Sequence, residues 1–314
     1  MIQIVNDNLD EIATEHFKRL QTGIKKGLES QKDLRDLIFS VCSLEELIVS
    51  NPEKLEDISN KLEQKGISNF KKEANQVFNY EAFCRRTSKY KYYAYELAHR
   101  LGINVCPYCN RQYTFTVRNN SKDVTRPEFD HFLTKVKYPY LALSFFNLIP
   151  SCKICNSTLK RDNEWSVSSH IHPYIQGFGS EWKFSLKLKK GKGIDFIYGN
   201  EDAFEIYFKS KGNKKIERNI KDLKLIEIYN QHKDYVSDII KNIVVYNDSY
   251  LENLYEQYEG TLFASKSDIY RMVFNNYSNL EDAGKRVLGK LTKDIVEELK
   301  GIDNTQITNN KSLI

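Results

Sequence analysis

RPEFDHFLTKVKYPYLALSFFNLIPSCKICNSTLK, running from Arg126 to Lys160, is the stretch that decides how this chain reads. Near its end stands the pair Cys152-Lys-Ile-Cys155, and a second pair, Cys106-Pro-Tyr-Cys109, lies upstream. Two-residue spacing lets both thiolates of a pair reach one tetrahedral ion. Two such pairs give a closed four-thiolate zinc site of the structural kind, with no position left for water. The segment between the pairs holds too little continuous apolar sequence to fold alone, and zinc would supply that stability. The plain alternative is four buried reduced thiols that bind nothing. A redox reading needs a thioredoxin-like βαβ context that is absent.

Between the cysteine pairs sit the polar residues that carry chemistry. Asp130-His131 falls in a short strand-like run, Pro127 to Leu133, and Asn147 lies in FFNLIP. Asn156 follows Cys155 directly, and Lys160 comes four residues later. Cys152 to Lys160 reads as a short helix, which puts Asn156 and Lys160 on one face. Phosphodiester hydrolysis needs water activated, charge offset and the pieces held in place. A neutral His suits the first task near pH 7. A carboxylate with an amide oxygen is a hard set suited to Mg²⁺ or Mn²⁺. A Lys on the neighbouring helix face holds a phosphate as a point charge. Each residue alone also has a plain reading: a turn or surface Asp-His pair, a capping Asn, a polar helix residue.

The order CxxC, Asp-His, Asn, CxxC-Asn, Lys resembles the HNH endonucleases, also called His-Me finger or ββα-metal nucleases. The nine-residue step from Asn147 to Asn156 matches that family's motif. The resemblance implies His131 as general base toward water, with Asp130 and Asn156 as ligands of a single catalytic Mg²⁺ or Mn²⁺. It implies that Asn147 orients the His131 ring by a hydrogen bond, and that Cys106, Cys109, Cys152 and Cys155 bind the structural zinc often found beside this motif. Asn156 stands where a third His occurs in many members. The match covers about a fifth of the chain. The wider pattern, helices before CPYC and a meander then helices after it, also resembles HNH proteins of bacterial antiphage systems, the Septu type among them, where such a nuclease works beside an ATPase.

Outward from this segment the texture changes. Residues 1–102 carry helix-spaced apolar positions, among them Leu9, Ile12, Ala13, His16, Phe17 and Leu20,. Residues 103–175 form the expected nuclease core. Over 176–212 three alternating runs, Lys183 to Leu188, Ile194 to Tyr198 and Phe204 to Phe208, read as a small antiparallel meander. The helical period returns over 213–304, and 305–314 reads as a frayed polar tail. The expected class is therefore α+β, a zinc-stapled ββα-metal core and a meander flanked by helical regions.

The 314 residues are 40% hydrophobic and 28% charged, so an ordinary packed core is expected,. A net charge of +5 is compatible with a phosphate partner without demanding one,. No run approaches the roughly 20 apolar residues that span a bilayer. The start, MIQIVNDNLDEIATEHF, lacks an apolar core after a basic region, so a signal peptide is not expected,. The expectation is a cytoplasmic protein in a reducing setting, where six cysteines do not read as disulfides,.

Other candidates are weaker. His170 and His172 read as a turn or as added ligands. Arg111, and with it Arg118, Arg126 and the lysines Lys183, Lys187, Lys189, Lys190 and Lys192, reads either as a phosphate-contacting surface or as a solvated edge. Tyr90, Tyr92, Tyr93 and Tyr95 read as base-stacking rings or as helix core. The expected partner is nucleic acid, with family precedent favouring DNA over RNA. Two other readings stay open: a zinc-stapled binding module without catalysis, and a subunit silent until it docks on a partner ATPase.

Overall fold

The structure is a computed structural model that describes residues 1–85, 92–119, 122–180, 182–209 and 212–301. Tyr90 and the 305–314 tail lie outside the described residues. Among the described residues, helices combine with three two-stranded antiparallel sheets, an α+β arrangement. The chain divides into two compact units. One holds Met1, Gln3–Gly177 and Lys214–Leu223, and the other Ile2, Phe178–Asn213 and Lys224 onward.

In the first unit the N-terminal helices form where apolar residues recur every three or four positions. Leu9–Glu29 buries Ile12, Ala13, His16, Phe17, Leu20, Ile24 and Leu28 along one stripe,. Ser43 and Glu46 make a reciprocal capping box at the start of Leu44–Val49,. Asn51 caps Pro52–Gln64, whose first residue is the proline, so Asn51-Pro52 opens a helix there,. Ala94–Leu101 ends on Gly102 in the left-handed region, φ 62°,.

The strands that matter for chemistry follow. β1 (Val117–Asn119) and β2 (Lys122–Thr125) form an exposed ribbon. β3 (Glu128–His131) pairs antiparallel with β4 (Leu148–Ser151), Asp130 opposite Ile149 and His131 opposite Leu148. A helical segment, Ile154–Lys160, comes next. It is wound wide, as a π-helix, with the Arg161 N–H donating to the Asn156 carbonyl at 2.8 Å. Such single wide turns concentrate at functional sites.

The 132–147 connector is gripped by the N-terminal helices. His16 Nε2 donates to the Leu143 carbonyl at 2.9 Å, and Ser144 Oγ donates to the Leu47 carbonyl at 2.6 Å. Tyr92 OH completes the His16 ring from the other side at 3.2 Å. Burial holds His16 neutral, its pKa lowered to about 4,.

In the second unit β5 (Lys183–Leu188) pairs in full register with β6 (Phe204–Lys209). The expected middle strand of the meander is absent: Gly193–Ile197 is a helical turn. Its apolar residues fall at 194, 196 and 197 rather than alternating. Ile194 and Tyr198 are 59% and 73% exposed, so no buried face rewards extension,. The C-terminal helix Gly289–Gly301 packs its Leu291, Ile295 and Val296 inward. No helix among the described residues is long and apolar enough to cross a membrane.

Candidate active site

The four paired cysteines converge. The Sγ atoms of Cys106, Cys109, Cys152 and Cys155 all lie within 4.8 Å of one another, and all four residues are buried. A tetrahedral zinc with Zn–S bonds of about 2.3 Å needs sulfurs about 3.8 Å apart; Cys109 and Cys152 stand at 3.9 Å. Backbone N–H groups point at the sulfurs, Arg111 N at 3.4 Å from Cys109 Sγ and Cys155 N at 3.4 Å from Cys152 Sγ. Asn110, at φ 52°, makes the tight turn that leaves Cys109 facing inward. Hydrogen bonds from the other three thiols pull the Cys152 thiol well below its ordinary pKa, while burial pushes Cys106 up. The convergence of four buried sulfurs at tetrahedral spacing is what a zinc ion needs, and these residues could hold one,.

Beside this cluster runs a cleft of about 310 Å³ whose lining includes Glu128, Asp130, His131, Asn156, Arg126 and Arg161. β3 and the Ile154–Lys160 helix supply its two walls. Glu128 and Asp130 are two apart in a strand and share a face. Cys155 and Asn156 are adjacent, so the helix that closes the cysteine cluster also carries an amide into the cleft.

His131 is the side chain whose state is best defined. Its Nε2 lies 3.0 Å from the Ala142 carbonyl. A carbonyl only accepts, so Nε2 carries the proton. Burial lowers the ring's pKa to about 3, with Lys135 and Lys160 adding repulsion, so at neutral pH the ring is uncharged. Nδ1 is then the nitrogen with the lone pair. The Tyr80 ring meets the imidazole edge-on at 4.5 Å and limits its rotation.

Asn147 works one step away from the imidazole. Sequence reasoning expects it to bond the His131 ring. Instead its Oδ1 accepts from Leu133 N at 2.7 Å, and its Nδ2 donates to the Leu133 and Leu141 carbonyls at 3.0 and 3.1 Å. It ties both ends of the loop that presents Ala142. The reason is placement: Asn147 is 1% exposed under that loop, where three backbone groups need partners,.

Lys160 is also placed differently from the expected phosphate contact. It is fully buried, its Nζ 3.1 Å from Asp130 Oδ1 and 2.8 Å from the His131 carbonyl, over the Trp165 ring at 5.2 Å. Its ammonium is committed to the protein interior. Tyr108, between the first two cysteines, donates to Asp130 Oδ2 at 2.6 Å. Asn156 Nδ2 and Ser157 Oγ both donate to Glu128 Oε2, at 2.9 and 2.6 Å.

Arg111 is half-buried at the cysteine turn and is not among the residues lining this cleft. Arg118 is held by Glu96 and Asp123. The lysines of 183–192 belong to the second unit, Lys183 pairing with Glu297 and Lys192 with Asp195. Tyr92 and Tyr93 are buried. His170 stacks on Trp165 at 4.4 Å and bonds Asp222 at 3.1 Å, and His172 is buried against Phe132. Both pack the turn after the helix.

Sequence reasoning missed Glu128, Tyr108 and Arg161. Glu128 was readable, since period two in a strand puts it on the Asp130 face. Nothing in the spacing marks Tyr108 or Arg161.

Over 131 residues the chain is 26% identical to protein ea31 of Escherichia phage lambda, covering 39% of this chain and 41% of that protein. Over 148 residues it is 30% identical to Septu protein PtuB of Bacillus thuringiensis, covering 45% of this chain and 54% of that one. The chain thus spans about half the length of these curated relatives. No protein-family model and no solved structure matches it.

Proposed function

We propose that this chain is a metal-dependent HNH-type endonuclease that hydrolyses phosphodiester bonds, DNA before RNA, as part of a bacterial antiphage defence system. The observation that carries the reading is His131: a neutral imidazole with its Nε2 proton held by Ala142, lining a cleft with Asp130 and Asn156. In this reading Nδ1 takes a proton from water as the water oxygen bonds to phosphorus and the bond to the leaving oxygen breaks.

The donor set fits a hard cation. An ionised carboxylate offers about four lone-pair sites, and Asp130 has donors from Tyr108 and Lys160, leaving acceptor capacity. Because the Asn156 amide nitrogen is turned onto Glu128, its carbonyl oxygen is left as a ligand. Asp130 and Asn156 would hold one Mg²⁺ or Mn²⁺, which when bound offsets charge on the phosphate and leaving oxygen. Arg161 and Arg126 take over the phosphate-contacting role expected of Lys160 and Arg111, since they line the cleft.

The test is cleavage of plasmid and single-stranded DNA with Mg²⁺ or Mn²⁺ by wild type and His131→Ala. Cutting by wild type alone is the expected result. Equal cutting by both would remove His131 from the reaction and the reading with it.

A second reading, compatible with the first, is an enzyme silent until a partner ATPase engages it. The similarity to a Septu protein favours it. Cleavage that appears only when the neighbouring gene product is added would distinguish it from autonomous activity.

A further inference from the structure

Two large rings in the first unit lie open to solvent side by side. Tyr113 and Phe115 are 48% and 45% exposed, and their rings stack at 4.7 Å with an interplanar angle of 15°. Aromatic side chains of this size normally dominate cores. These two are held outward by design of the backbone. Thr114 between them is buried, its N–H on the Asn104 carbonyl at 2.8 Å and its hydroxyl on the Ile103 carbonyl at 3.0 Å. In an extended segment, burying the middle residue turns both neighbours to the other face.

The rings form one wall of a second cleft, whose lining includes Thr125, Arg126, Glu128 and Lys153. Arg126 and Glu128 line this cleft and the His131 cleft alike, so the two clefts are neighbours that share a wall. Among the described residues neither Arg126 nor Lys153 forms an ion pair with a carboxylate. Arg126 donates to the Pro127 carbonyl at 2.6 Å and lies over the Tyr95 and Phe129 rings. A stacked pair of rings beside two cations with no carboxylate partner among the described residues fits a polyanion that also presents flat faces. An apolar protein segment would use the rings and leave the cations desolvated. Inside a duplex the base faces are already stacked, so the matching ligand has an unpaired base.

We infer that Tyr113 and Phe115 form a stacking shelf for an unpaired nucleobase of the strand whose phosphate enters the His131 cleft, so that the substrate class is single-stranded or locally unpaired nucleic acid. Assigning the shelf to a substrate strand rests on the nuclease reading; the shelf itself is tested by binding alone.

The experiment is fluorescence anisotropy of the full chain, without added divalent metal, titrated into a labelled single strand and into the duplex of the same sequence. Wild type is expected to bind the single strand about tenfold or more tighter than the duplex. Tyr113→Leu and Phe115→Leu, which keep apolar area and remove the ring face, should weaken single-strand binding about tenfold, and Tyr113→Phe should restore it. Loss of either a DNA or an RNA single strand in the leucine variants supports the shelf. No preference for single strands, or leucine variants that bind as wild type does, would overturn it and leave the patch to a protein partner. Zinc content and thermal melting confirm that the variants are folded. If the shelf binds and neither plasmid nor single-stranded DNA is cut, with or without the neighbouring gene product, the nuclease reading alone fails; if wild type cuts and the leucine variants bind unchanged, the shelf alone fails.

Discussion

Lys160 and Asp130 form an ion pair at 3.1 Å with neither side chain open to solvent, 0% and 2% exposed. The pair crosses from the last turn of the wide helix to β3, and the His131 carbonyl takes a second bond from the same ammonium. Removing one member of such a pair leaves an uncompensated buried charge, a far larger penalty than the net worth of the pair. Lys160→Met should therefore destabilise the protein by about 3 kcal/mol or more, read from urea unfolding. The double variant Lys160→Met with Asp130→Leu should recover much of that loss. A single variant as stable as wild type would mean that the pair is not buried in solution.

Zinc should follow the paired cysteines and ignore the others. Cys152→Ser should lower bound zinc and the melting temperature together, because binding free energy here is folding free energy. Cys42→Ser, a buried thiol outside the cluster, should leave metal content unchanged. Elemental analysis of the purified proteins reads both, and full zinc in the Cys152 variant would separate the cluster from the metal.

Asn147→Ala removes three hydrogen bonds from a buried loop. Backbone groups left unpaired cost about 1–3 kcal/mol each, and partial relaxation of the loop should bring the net loss to about 2–4 kcal/mol. If the proposed reaction is correct, turnover should fall further than stability explains, because Ala142 loses its fixed position beside His131. Cleavage assayed well below the variant's melting temperature separates the two effects.

Acid should unfold the first unit earlier than its carboxylates alone would. Burial lowers the folded pKa of His16 to about 4 and that of His172 to about 3, against about 6.5 in an unfolded chain. Below 6.5 the unfolded state binds the extra protons, so stability falls as pH falls from about 6.5 toward these folded values. Unfolding free energy measured between pH 7 and pH 5 should decline. His16→Asn, which keeps a donor for the Leu143 carbonyl, should flatten part of that slope.

How far the sequence was legible depends on whether a feature is local. The cysteine cluster could be read because CxxC spacing encodes its geometry within four residues, and the N-terminal helices because apolar period encodes a buried stripe. Asp130, His131 and Asn156 line one cleft. The role of Lys160 could not be read. Its partner lies 30 residues away, and only the helix-to-strand packing decides whether an ammonium faces solvent or Asp130. Asn147 failed for a similar reason, since backbone carbonyls that need a donor leave no mark in side-chain identity. The middle of the meander misled because Ile194 to Tyr198 has strand-like composition, and burial rather than composition decides extension. The exposed Tyr113 and Phe115 look in sequence like any β-strand aromatics, while of the tyrosines singled out nearby Tyr92 and Tyr93 turned inward, Tyr95 is half-buried with the Arg126 guanidinium over its ring at 5.5 Å, and Tyr90 lies outside the described residues.

If the four cysteines hold zinc and the proposed reaction is correct, the adjacency of Cys155 and Asn156 has a kinetic consequence. One residue closes the cysteine cluster and the next lines the cleft, so a molecule that loses its zinc also loses the anchor of that amide. Stripping zinc should then act by switching molecules off one at a time rather than slowing each of them. In a partly depleted sample the maximal rate should fall in proportion to the zinc removed, while the substrate concentration giving half that rate stays where it was.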